Sequence, residues 1–285
     1  MQLIWHDHIQ SFLAETQSFL EQQEARNSLM LGVALRLLQA PELCLEVRLG
    51  TLRDSKGLVL AGLRTPPEKL ILAGRSAVPS AAWEYLVQGL LEQERFLPGV
   101  LGPQELAKDL AALWTERRGC TAKLDMATWV YELRDVNPQV IGEGRLRPAQ
   151  QADLDFLTQA IREFQQDAGV EASPDQEACA QLARRFLANG AFFLWEHDGQ
   201  VVSMAAKVRP TRRGVSINLV YTPRELRGRG YATSCVAALC RELLASGYQL
   251  CCLFADAANP ISNRVYQKIG FRPVCQFHEY TFKYD

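Results

Sequence analysis

Thr222-Pro223-Arg224-Glu225-Leu226-Arg227-Gly228-Arg229-Gly230-Tyr231-Ala232-Thr233 lies between two runs of different periodicity. Before it, Val215-Ser216-Ile217-Asn218-Leu219-Val220-Tyr221 reads as a strand, which Thr222-Pro223 ends because proline brings no ladder N–H. After it, Val236, Leu239, Leu243 and Leu244 recur at helical spacing, so a helix is predicted from Leu226 to Ala245, with Arg227 to Ala232 as its start. Two glycines where a strand passes into a helix make a cradle for phosphate. The first-turn N–H groups lack partners and carry the positive end of the helix dipole, and glycine puts no Cβ in front of them. Arg227 and Arg229 add charged donors at the same place.

Three phosphate motifs share such glycines. A nucleoside-triphosphate loop needs a lysine after its last glycine, where Tyr231 stands, and a dinucleotide fingerprint needs a third glycine, where Thr233 stands. The pattern that fits is Gln/Arg-x-x-Gly-x-Gly/Ala, met by Arg227, Gly230 and Ala232. Downstream comes Asn259-Pro260-Ile261-Ser262-Asn263-Arg264-Val265-Tyr266-Gln267-Lys268-Ile269-Gly270-Phe271, in which Asn259, Ser262, Asn263 and Tyr266 recur at three- and four-residue spacing and share one helical face. Tyr266, beside Val265, Ile269 and Phe271, also reads as a core tyrosine with a satisfied hydroxyl.

Together the two stretches resemble the paired signatures of the GNAT N-acetyltransferase superfamily, over roughly residues 144 to 285. The resemblance implies a mixed α/β (α+β) fold, a mostly antiparallel twisted sheet flanked by helices. It implies acetyl-CoA as co-substrate, no metal, and direct attack of a primary amine, from a small molecule or a protein, on the thioester. Val220, Tyr221 and Thr222 would lend backbone groups to the pantetheine arm where their strand splays. Arg227, Gly228, Arg229, Gly230, Tyr231, Ala232 and Thr233 would hold the pyrophosphate. Asn259, Ser262 and Asn263 would hold or orient the cofactor, and Tyr266 would protonate the departing thiolate. One departure stands out. Many members place a glutamate general base on the strand that here reads Ile217-Asn218-Leu219-Val220, without a carboxylate. Glu163, Glu196 and Asp256 are candidates from the expected topology, His197 and His278 fall in expected turns, and a water chain or an amine arriving neutral would also suffice.

The chain has 285 residues, enough for two domains. Before the quoted loop, the second half reads as a strand at 144–147, helices at 153–166 and 174–188, and strands at 192–196, 201–208 and 215–221. After it come a strand at 248–254, a helix at 260–269 and strands at 273–277 and 279–283. The first half offers the same order: helices near 9–20 and 29–38, strands at 44–49, 58–63 and 70–73, a helix from Ser80, a short apolar run to Gly102, a helix at 103–118 and a closing strand at 128–133. Turn formers from Asp135 to Gly144 suggest a linker, giving two GNAT-like domains at 1–137 and 138–285. Ala73-Gly74-Arg75-Ser76-Ala77-Val78-Pro79 has no second glycine and reads as a plain loop, so the first domain is expected to be a degenerate, cofactor-free copy that helps wall the acceptor pocket. Trp83, Trp114 and Trp129 read as core anchors.

Composition narrows the partners. Hydrophobic residues make up 48% and charged residues 22%, as in globular proteins, and the net charge of -1 supplies no field for recruiting nucleic acid or an acidic membrane. That weighs against transfer from aminoacyl-tRNA, although some tandem members of the superfamily do this. A coenzyme A-binding sensor or scaffold without turnover is the other reading, motivated by the missing strand carboxylate. Eight cysteines without metal-ligand spacing, several in apolar runs, read as buried thiols in a reducing, cytoplasmic setting. Neither a leader nor a membrane span is expected, and the protein is expected to be a monomer or homodimer.

Overall fold

A computed structural model describes residues 1–44, 46–93, 96–169 and 171–284, which form two compact units. The first comprises Met1–Val130, Phe254–Asn259 and Pro273–Asp285; the second comprises Tyr131–Leu253 and Pro260–Arg272.

In unit one the strands are β1 (Gln2–Trp5), β2 (Arg48–Asp54), β3 (Gly57–Arg64), β4 (Leu70–Gly74), β5 (Gly99–Pro103), β6 (Thr121–Leu133, up to Val130) and β12 (Arg272–Lys283, from Pro273). Their order is β1-β2-β3-β4-β5-β12-β6. Helices α1 (Ile9–Leu20), α2 (Ser28–Gln39), α3 (Ser80–Gln93) and α4 (Gln104–Arg118) cover the two faces. Strand alternation decides which core each side chain joins. In β4, Ile71 and Ala73 pack with Phe12, Leu13, Met30 and Leu31 of α1 and α2, whereas Leu70 and Leu72 pack with Trp83, Leu86, Leu110 and Trp114 of α3 and α4. Trp83 and Trp114 are core residues as expected, while Trp129 is half-buried.

Unit two holds β7 (Arg145–Pro148), β8 (Phe192–His197), β9 (Gln200–Val208), β10 (Gly214–Tyr221) and β11 (Leu250–Asp256, up to Leu253). Their order is β11-β10-β9-β8-β7, and Tyr131–Leu133 of β6 belong to the same unit. Helices α5 (Leu154–Asp167) and α6 (Gln176–Ala188) bury Leu157, Ile161 and Ala183 against Phe192, Leu194, Met204 and Tyr221. Helix α7 (Tyr231–Ala245) packs on β8, β9 and β10, and α8 (Pro260–Ile269) packs on α7. Among the described registers pairing is antiparallel except for β4 with β5 and β10 with β11, so both units are mixed α/β with a mostly antiparallel sheet.

Several expected boundaries move. The strand expected at 44–49 runs instead over Arg48–Asp54, with Leu45 outside the described residues. The chain start is strand β1, antiparallel to β2; four residues are too few to display a period. The helix predicted from Leu226 begins at Tyr231, after a 3-10 turn over Arg224–Leu226 and a glycine turn. The two terminal strands are one, β12, and it is β12 that pairs with β5, where 128–133 was expected to close the half. Six of the eight cysteines are buried, Cys44 and Cys275 are half-buried, and all are free thiols. Among the described residues no helix is long and apolar enough to cross a membrane.

Candidate functional site

Strand β10 positions the site by losing its neighbours one side at a time. Parallel pairing with β11 runs through Gly214↔Leu250, Val215↔Cys251 and Ser216↔Cys252 and stops there, although β10 continues to Tyr221. On the β9 side, Asn218 pairs with Ala206 and Tyr221 with Met204, so Leu219 and Val220 together oppose one residue. Leu219 has a φ of 48°, a conformation that strains a side chain with a Cβ by roughly 1–2 kcal/mol. Its side chain is buried, and its N–H donates to Asn218 Oδ1 at 2.7 Å. The result is a β-bulge that takes the backbone groups of 219 and 220 out of the ladder on one side while β11 has already parted on the other.

Beyond Tyr221 the chain enters the quoted loop. Gly228 has φ 79° and Gly230 φ 84°, and a Cβ on either would meet nothing within 4 Å. Backbone conformation, not crowding, therefore demands glycine here, and the space in front is open. The helix starts at Tyr231, so the N–H groups of Tyr231, Ala232 and Thr233 lie in a first turn without carbonyls behind them; Ser234 N–H closes the first helical bond, to Gly230 O at 3.0 Å. Tyr231 packs its ring, tilted by 47°, at 5.2 Å from that of His197 and has its hydroxyl 3.4 Å from His197 Nδ1, which itself lies 3.3 Å from Asp198.

The two loop arginines expected as phosphate donors differ sharply. Arg229 is exposed and has no ion pair or hydrogen bond among the described residues. Arg227 is engaged on three sides: Nε donates to Thr222 O at 3.0 Å, the guanidinium lies 5.3 Å over the Tyr221 ring, and Nη2 pairs with Asp167 at the end of α5. Asp167 also takes Arg224 Nη2 at 2.6 Å. Burial works to raise the Asp167 carboxyl, but Arg227 and Arg224 prevail and hold it below the usual range.

Helix α8 carries the second signature. Tyr266 is buried, its ring 6.2 Å from Tyr131 and 5.9 Å from Phe271, and its hydroxyl has no hydrogen bond among the described residues. Burial, aided by Cys240, pushes its phenol up to about 12. Asn263, one turn earlier, accepts from Tyr131 Oη at 3.0 Å, and Gln267 Nε2 donates to the same hydroxyl at 3.4 Å. Ser262 is half-buried in the first turn, and Asn259, just ahead of the helix, donates its N–H to Asp256 O at 3.1 Å.

None of the base candidates is an unengaged carboxylate. Glu163 on α5 accepts the Tyr221 hydroxyl and Gln159 Nε2 at 2.6 Å, and the Tyr221 bond holds its carboxyl below the usual range. Tyr221 is in turn pushed well up by burial and by Glu163. Glu196 takes Arg145 at 3.1 Å and Arg147 at 2.9 Å, and Arg147 also grips Asp153, which makes Glu196 part of an ion-pair network on β7 and β8. Asp256 Oδ1 accepts the Ala258 N–H at 2.9 Å in a turn. His278 sits in β12 within unit one, not in a turn. Sequence reasoning missed the bulge at Leu219 and the Asp167 pair with the loop arginines; neither has a residue pattern that announces it.

A sheet whose fourth strand parts from its fifth over a glycine loop that opens a helix is the architecture of the GNAT acetyltransferases. Residues 155–271 match the sequence profile of the Acetyltransferase (GNAT) family. No curated protein matches it in sequence. Among solved structures it is similar to a GNAT-family acetyltransferase from Colwellia psychrerythraea (12% identity, 99% of this chain and 100% of that chain, TM-score 0.58). It is also similar to a GCN5-related N-acetyltransferase from Sphaerobacter thermophilus (17% identity, 99% and 95%, TM-score 0.60). A tandem GNAT protein from the clavulanic acid biosynthesis pathway matches at 13% identity over 84% of this chain and 82% of that one, with TM-score 0.51. At these identities the likeness is one of fold, and it fits two GNAT-like halves in tandem.

Proposed function

We propose that unit two binds acetyl-CoA and passes its acetyl group to a primary amine by direct attack on the thioester. The observation that carries this reading is the parting of β10 from β11 after Ser216, with the bulge at Leu219 and a glycine turn at 228–230 immediately downstream. In this reading the pantetheine arm lies along the released backbone of Val220, Tyr221 and Thr222. The pyrophosphate sits on the N–H groups at the head of α7, with Arg229, unpaired among the described residues, as the cation. Ser262 and Asn263 line the arm, Asn263 being oriented by Tyr131.

Tyr266 is the proton donor to the leaving sulfur. A phenol held at about 12 stays protonated wherever the enzyme works. Full transfer to a thiolate whose acid ionises near ~8.5 is uphill by roughly 5 kcal/mol, so the hydroxyl acts as a hydrogen-bond donor to the developing thiolate. Glu163 and Glu196, the carboxylate candidates in the unit, are both already engaged, and the amine is taken to arrive neutral or to lose its proton to solvent.

The test is a screen of small amines and peptide amines for acetyl-CoA-dependent release of free thiol, alongside calorimetric binding of acetyl-CoA. Binding with acceptor-dependent thiol release supports the transferase. Binding without release for any acceptor favours a second reading, a coenzyme A-binding sensor, which the engagement of Glu163 by Tyr221 and Gln159 motivates. No binding removes both.

A further inference from the structure

We infer that Asp167 is an electrostatic counterweight on the phosphate loop, and that the cofactor's phosphates compete with it for Arg224 and Arg227; this rests on the coenzyme A reading above. Asp167 divides its carboxylate between the two arginines, Oδ1 to Arg224 Nη2 at 2.6 Å and Oδ2 to Arg227 Nη2. Within the loop itself, Arg224, Arg227 and Arg229 face only Glu225, so Asp167 cancels half of the net positive charge there. The pairing is not all that holds Arg227 in place. Thr222 O at 3.0 Å and the Tyr221 ring at 5.3 Å fix its guanidinium without help from Asp167. Arg224 is the opposite case: its side chain is 66% exposed, and Asp167 is its one ion-pair partner among the described residues. Removing the carboxylate therefore leaves one cation fixed and one free to turn, both in the loop that leads into α7.

The consequence is a site tuned below its attainable affinity. The cofactor and its thiol product carry the same phosphates, so a counterweight that weakens their hold also speeds product departure. It acts on phosphate charge alone, which separates it from a strut that shapes the loop.

The experiment is calorimetric titration of wild type, Asp167→Asn, Asp167→Glu and Arg224→Gln with coenzyme A and with phosphate-free pantetheine, at about 50 mM and about 500 mM salt. Asp167→Asn is expected to tighten coenzyme A binding about three- to tenfold at low salt, with the gain shrinking at high salt and pantetheine binding unmoved. Asp167→Glu restores the charge and stays nearer to wild type. Arg224→Gln, an exposed change that the fold tolerates, weakens coenzyme A binding about threefold or more and keeps the test independent of how the Asp167 variants fold. Unchanged or weaker binding by a folded Asp167→Asn overturns the counterweight, as does unchanged binding by Arg224→Gln. Wild type that binds no coenzyme A at either salt overturns the cofactor reading instead.

Discussion

Replacing Tyr266 by phenylalanine separates structure from chemistry at one atom. The ring stays packed against Tyr131 and Phe271, and the hydroxyl that is lost has no hydrogen bond among the described residues, so nothing is left unpaired behind it. Stability is expected to stay within about 1 kcal/mol of wild type, because deleting an unpartnered buried hydroxyl removes a desolvated polar group without opening a cavity. Turnover is a different matter. A hydrogen bond to a charged group contributes about 1.5–3 kcal/mol, so losing the donor to the thiolate lowers turnover roughly 10- to 150-fold. Acetyl-CoA affinity should barely move. The alkaline side of the pH profile sharpens the case: the folded phenol titrates at about 12, so the wild-type rate should not fall between pH 8 and about pH 10 through ionisation of Tyr266. The assay is thiol release with an acceptor found in the screen, with binding and melting measured in parallel. Phenylalanine at 266 with undiminished turnover would refute the donor role, and so would a wild-type rate that falls with a midpoint near 10 and ceases to do so in the variant.

Arg229→Glu reverses the loop cation that has no partner among the described residues; coenzyme A affinity should drop at least about tenfold at low salt and recover part of the loss as salt rises, read by titration calorimetry. Gly230→Val forces a branched side chain into φ 84°, costing at least about 1–2 kcal/mol, seen as a melting temperature lower by about 2–8 °C and weaker cofactor binding. In unit one, Lys69 bridges Asp125 at 2.9 Å and Glu279 at 2.7 Å, and Thr281 also donates to Asp125. Burial works to raise the Asp125 carboxyl, but these donors hold it at about 2. A folded value below the unfolded one means stability present above pH ~4 and lost as pH falls towards 2, so the stability gap between wild type and Asp125→Asn in urea unfolding should close over that interval; a gap constant from pH 7 to pH 2.5 would contradict the assignment.

The parts of the site that announce themselves in sequence are those where chemistry demands a residue type at a fixed spacing. Arg227 to Ala232 and Asn259 to Phe271 are of this kind, and both α7 and α8 lie where those patterns put them, α7 starting five residues late because the glycines adopt left-handed conformations ahead of it. Leu219 shows the limit: a bulge usually draws glycine or a polar residue, and leucine in a strand-like run points the other way. Arg227 shows another, since an arginine beside two glycines reads as a phosphate ligand until Asp167, sixty residues earlier, claims part of it. The presence of most strands was readable from period and turn residues, but their ends were not, nor was the choice of partner for β5, because β6 and β12 have comparable strand character and only long-range packing decides between them.

The pairing of β12 with β5 sets an order of events during synthesis. Phe277 to Thr281 bond with Pro103 to Gly99, so β5 waits for a strand that lies far downstream in the chain. At about 5–20 residues per second, the ribosome adds the intervening chain in roughly 10–35 s, during which the edge of β5 has no permanent partner. Severing the chain anywhere between Asp135 and Gly144 makes that wait permanent: the fragment before the cut keeps an open β5 edge, and the fragment after it carries a strand with no ladder to join. The residues around β5 are thus exposed to aggregation until β12 is made, and a stall in translation after β11 should be more damaging to them than to the sequence just completed.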